Sequence, residues 1–137
     1  MVYLYVNLKH VGERASHVIC SGRKCNVEWA LDASGRMPAQ EYYSELTENE
    51  QAKFLAVAKR LAEGETLNLE KFRKLKGLSL FEIKFGPHRF LGDFRRGGRF
   101  LIAHGARKPG PKLHASDFKI AERIMAENDL IQLGGRS

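Results

Sequence analysis

The 137-residue chain has only two cysteines and four prolines. Cys20 and Cys25 cannot make a disulfide framework, so a packed core has to hold the fold. No apolar run approaches the ~20 residues that cross a bilayer, which argues against a membrane-spanning helix. Residues 1–8 (MVYLYVNL) have no basic flank and no small-residue cleavage site behind a long apolar core, so no secretory pattern is read there. The expectation is a cytoplasmic protein without a membrane partner. Metal ligands are also sparse. His10, His17, Cys20 and Cys25 match no zinc-finger spacing, so neither a metal nor a cofactor is expected.

The scarcest feature is negative charge in the second half. Residues 1–70 hold 8 Lys/Arg against 10 Asp/Glu, whereas residues 71–137 hold 15 against 6. Between Lys71 and His114 there are 12 basic residues and only two acids, Glu82 and Asp93. So local an excess points to a polyanionic partner, nucleic acid first, with a solvated basic face as the plain alternative.

The same stretch has the clearest pattern. From residue 80 to 114 apolar and polar residues alternate, with breaks at Gly86-Pro87 and Gly97-Gly98, which predicts three antiparallel strands joined by two tight turns. Gly97-Gly98 can take the positive φ of a two-residue hairpin turn. Leu80, Phe85, Phe90, Phe94, Phe100 and Ile102 supply an apolar face, leaving Lys84, Arg89, Arg95, Arg99, Arg107, Lys108 and Lys112 for another face or the rim. A sheet with one apolar and one basic side is expected.

Before the sheet, Asn26–Asp32 alternates as a strand with Trp29 as a core anchor, while residues 14–24 read as a loop. Pro38 suits the first turn of a short helix to about Leu46. Thr47 and Glu50 have capping-box spacing for a helix ended by Gly64, with Phe54, Leu55, Ala58, Leu61 and Ala62 as its apolar stripe. Residues 67–77 read as a basic, partly helical connector. Ser116 or Asp117 can cap a last helix to about Asn128 that turns Phe118, Ala121, Ile124 and Met125 inward.

Several segments carry a resemblance: residues 72–78 (FRKLKGL), 80–85 (LFEIKF), 88–90 (HRF) and 102–108 (IAHGARK). In this order they resemble the RelE/ParE toxin superfamily, above all its phage-derived HigB-like branch. The likeness runs from about residue 26 to 127. It implies one α+β domain over residues 1–137, with residues 1–25 as an unmatched extension and a core of about 26–128. The implied RelE-like fold is a twisted antiparallel sheet with a mixed edge and about four strands. Two N-terminal helices would pack on one face, followed by a C-terminal helix.

The resemblance further implies the toxin of a type II toxin–antitoxin pair, a ribosome-dependent mRNA endonuclease that works without metal. Its partners would be mRNA, the ribosome and a cognate antitoxin, expected to be a helix-turn-helix protein. A gyrase poison of the ParE kind, or an inactive binding member, is the alternative. The working positions map to Lys84, Arg89, Lys108 and His114, with Lys74, Lys76, Arg95, Arg99, Arg107 and Lys112 gripping RNA. The residue types suit the chemistry. Metal-free cleavage needs a base for the 2′-hydroxyl, cations for the phosphorane and an acid for the leaving oxygen. Arg89 offers a planar fork for phosphate, Lys84 a base if crowded cations lower its pKa, and His114 an acid. Glu82 is expected to pair with a neighbouring arginine. His88 and His104 are read as packed rather than catalytic.

Overall fold

A computed structural model describes residues 17–108 and 114–134. His10 and Lys112 lie outside the described residues. The fold is α+β. Its strands are β1 (Val18–Ser21), β2 (Asn26–Trp29), β3 (Phe72–Lys74), β4 (Phe81–Phe85), β5 (His88–Arg95) and β6 (Arg99–Arg107), and its helices are α1 (Pro38–Ser44), α2 (Glu48–Glu63) and α3 (Ala115–Gly134). The six strands form one sheet in the order β1-β2-β6-β5-β4-β3, in which only the β2–β6 pair is parallel. The sheet has six strands where about four were expected. Residues 18–21, read as part of a loop, form its edge strand β1, and the connector at 67–77 holds β3 and no helix. Both additions are edge strands of only four and three residues, too short for an alternation of their own to announce them.

Local signals placed the rest. In α2 the Thr47 side chain accepts from the Glu50 N–H at 3.1 Å, and Glu50 Oε1 accepts from the Thr47 N–H at 3.0 Å. Gly64 closes that helix at φ 77°, a left-handed conformation that lacks the usual Cβ penalty in glycine. At the β4–β5 turn, Phe85 faces His88 across Gly86 and Pro87. The β5–β6 turn differs from expectation: Arg95 faces Arg99, so the loop is three residues, Arg96, Gly97 and Gly98.

The sheet is apolar on both faces, which corrects the expectation of one apolar and one basic side. On one face Val27, Trp29, Ile83, Phe85, Phe90, Phe100 and Ile102 pack under α1 and α2, with Trp29 stacked on Phe54 at 5.5 Å. Val57 is buried in this cluster, whereas Leu55, expected there, is 39% exposed. On the other face Leu80, Leu91, Leu101 and Ala103 meet Ala121, Ile124 and Met125 of α3. The run FLIA at residues 100–103 is continuous rather than alternating because both of its sides are covered.

A bulge in β6 matters for function. Leu91 pairs with His104, but the next β5 residue, Gly92, pairs with Ile102. Ala103 is therefore an extra residue, and His104 projects to the α3 side along with it. Gly92 allows the close approach: a Cβ there would overlap the Leu101 carbonyl oxygen.

Candidate functional site

One end of the sheet gathers most of the titratable side chains. The β4–β5 turn, the last residues of β6 and the start of α3 meet there. The register sets Lys84 opposite Arg89, Arg89 opposite Ala106 and His88 opposite Arg107. The Lys108 N–H donates to the Pro87 carbonyl at 2.6 Å, continuing the β6–turn contact.

Asp117, in the first turn of α3, organises the α3 side of this end. Its Oδ1 lies 2.9 Å from His104 Nε2 and its Oδ2 lies 3.0 Å from Lys108 Nζ. Oδ2 also accepts the His114 backbone N–H at 3.1 Å, half of a capping box and a favourable place for an anion at a helix N-terminus. Burial pushes the Asp117 carboxyl up. The hydrogen bonds from His104, Lys108 and the His114 backbone outweigh it and hold the group below its ordinary value. The bulge brings His104 within reach, the end of β6 brings Lys108, and the helix start brings the exposed His114. From the sequence Asp117 was readable only as a helix cap; its role as a hub depends on the β6–α3 packing.

Arg89 is in a different position from the one expected of it. Its side chain is 3% exposed, with Nε 3.6 Å from Oε2 of Glu82, itself 2% exposed. Nη1 donates to the carbonyls of Gly86 and His88 at 2.7 and 3.1 Å. The other Glu82 oxygen accepts from Arg73 Nε at 3.0 Å, so Glu82 lies against two arginines where one was expected. The Arg89 fork is thus spent inside the fold, where it ties down the β4–β5 turn instead of facing a phosphate.

The remaining cations divide by location. Arg95 holds Asp129 with two bonds of 2.9 and 3.1 Å, and Arg99 lies 3.5 Å from Glu28. Both are at the far end of the β5–β6 hairpin, neutralised by acids. Lys84, half-buried, joins Leu69, Glu70, Arg73 and Lys74 around an open groove of about 650 Å³ with three cations to one acid. Lys76 and Arg107 are exposed. The expected RNA-gripping set is therefore split, with Lys74 and Arg107 near the site and Arg95 and Arg99 away from it.

On the α1–α2 side of the same end lies a second cluster that the sequence did not reveal. His88, 4% exposed, has Nδ1 2.7 Å from the Tyr42 hydroxyl and Nε2 2.8 Å from Oε2 of Glu50. That contact, with the Thr47 backbone bond, holds the Glu50 carboxyl at about 2. Burial raises the Tyr42 phenol, which the Arg107 charge partly offsets.

No protein-family model matches the chain, and no curated protein matches it. Among the described residues no three His, Cys, Asp or Glu side chains are grouped so as to hold a metal ion, and no helix is long and apolar enough to cross a membrane.

Proposed function

We propose that this chain is the toxin of a type II toxin–antitoxin pair, a ribosome-dependent mRNA endonuclease of the RelE type acting in the cytoplasm. The observation that carries this reading is the gathering of cations and a histidine at one end of the sheet: Lys84 in an open basic groove, Lys108 and His114 around Asp117, and Arg107 at the end of β6. The element order supports it in part: β2, two helices, the antiparallel run β4, β5 and β6, and a C-terminal helix follow the order the resemblance implies, with β1 and β3 as additions. Arg107 and Lys84 would hold the phosphate and stabilise the phosphorane, and His114 would protonate the leaving 5′-oxygen. Lys108, pinned by Asp117, would position the phosphate rather than move a proton. A small helix-turn-helix antitoxin would cover this end.

Arg89 favours a second reading. With its fork buried against Glu82, Arg89 is withheld from the phosphate role the resemblance assigns it, as suits a non-enzymatic gyrase poison or binding-only member. Induced expression without antitoxin, followed by primer extension on abundant transcripts, separates the two. In-frame cuts that vanish when initiation is blocked support the nuclease. Growth arrest without cuts supports the gyrase poison, and no arrest leaves a binding protein.

A further inference from the structure

Lys84 and Arg107 are assigned to the phosphate and Arg89 is sealed, so the proposed reaction still needs an acceptor for the 2′-hydroxyl proton. From the chain of contacts Tyr42–His88–Glu50 beside Arg107, we infer that Tyr42 takes this proton and passes its own to His88. The inference rests on the endonuclease reading.

The hydrogen-bond directions follow from the partners. Glu50 is a carboxylate and can only accept, so His88 Nε2 donates to it at 2.8 Å. In the neutral ring Nδ1 is then an acceptor, and the Tyr42 hydroxyl donates to it at 2.7 Å. A reactive O–H, a base and an anion that orients the base form the same logic as a nucleophile–base–orienter triad, here serving proton transfer. Each member comes from a different element: Tyr42 from α1, Glu50 from α2 and His88 from β5. The Tyr42 ring is held in place. It lies edge-on to Phe90 at 5.5 Å and over Gly105, where a Cβ would come within 2.7 Å of the ring. His88 is further flanked by Phe85 at 5.2 Å. Arg107, opposite His88 in the register, puts a cation at the end of β6 beside this cluster for the scissile phosphate.

The step balances. The 2′-hydroxyl proton goes to the Tyr42 oxygen as the Tyr42 proton goes to His88 Nδ1, and Glu50 stabilises the resulting imidazolium. The 2′-oxygen bonds to phosphorus, and the bond from phosphorus to the 5′-oxygen breaks with its electron pair. That oxygen takes a proton from His114, leaving a 2′,3′-cyclic phosphate and a 5′-hydroxyl.

The groups facing His88 are Tyr42, Glu50, Arg107 and Phe85, so a pH profile is interpretable. Single-turnover cleavage of a ribosome-bound mRNA is measured against pH for wild type, Tyr42→Phe, Glu50→Gln and His88→Asn, with ribosome binding and thermal melting alongside. Tyr42→Phe keeps the ring and loses only the hydroxyl. The expected results are a cleavage rate about 100-fold lower with binding retained, and an acid limb moved to lower pH in Glu50→Gln because the imidazolium loses its anion. Tyr42→Phe cleaving at the wild-type rate, or an unmoved limb in Glu50→Gln, overturns the relay and leaves the endonuclease reading intact. A folded wild type that never cuts removes both. Should Tyr42→Phe fail to fold, His88→Asn is judged by the same rate and the loss of its acid limb.

Discussion

The Arg89 guanidinium and the Glu82 carboxylate face each other at 3.6 Å with both side chains sealed from water. Neither charge has solvent to return to, and removing Arg89 leaves the buried Glu82 carboxylate with only the exposed Arg73. Arg89→Ala is expected to lower stability by about 3–5 kcal/mol, read in urea denaturation. The double change Arg89→Met with Glu82→Leu should recover most of that loss. Lost toxicity in Arg89→Ala is therefore uninformative until the variant is shown to be folded.

His114 and Asp117 should separate chemistry from architecture. His114 is exposed and contributes only its backbone N–H and carbonyl to the cap, so His114→Ala should leave thermal melting unchanged. On the endonuclease reading it should slow single-turnover cleavage about 100-fold or more. Asp117→Asn weakens its contacts to His104 and Lys108, and should cost about 2 kcal/mol in the same melts.

Glu50 sets an acid limit on stability. Its folded value of about 2 lies below the ordinary 4.5, so the carboxylate favours the folded state. That contribution is complete above pH 4.5 and fades as pH falls from there through 2. Melting midpoints followed across that window should drop more steeply for wild type than for Glu50→Gln. Parallel curves for the two proteins would disprove the assignment.

Salt dependence should distinguish working cations from paired ones. Lys76 and Arg107 are exposed, whereas Arg95 is held by Asp129 and Asp93. Each alanine at Lys76 or Arg107 should reduce the slope of log affinity for ribosomes against log salt by about 1. Arg95→Ala should leave the slope unchanged while lowering the melting temperature.

The local chemistry of the chain determined a good deal without help. Thr47 and Glu50 define a helix start because both bonds of the capping box lie within four residues. Gly86-Pro87 and the Gly97-Gly98 pair mark chain reversals through backbone angles that need no partner, and the charge asymmetry is simple counting. The strands β4, β5 and β6 follow from those turns and the alternation between them.

What only the tertiary structure decided depends on pairing and packing. β1 and β3 have four and three residues, too few to show an alternation before β2 and β4 supply their ladder bonds. One extra residue at Ala103 changes which face His104 joins, and an alternation count cannot anticipate a bulge. Arg89 is indistinguishable from Arg107 in a list of strand cations, yet Glu82 and two carbonyls draw the first inside while the second ends its strand in solvent. Tyr42, Glu50 and His88, and likewise Asp117 with His104 and Lys108, become neighbours only after helices dock on the two faces of the sheet. Burial and mutual charge are properties of that packing, and they determine which titratable groups can take part in proton transfer.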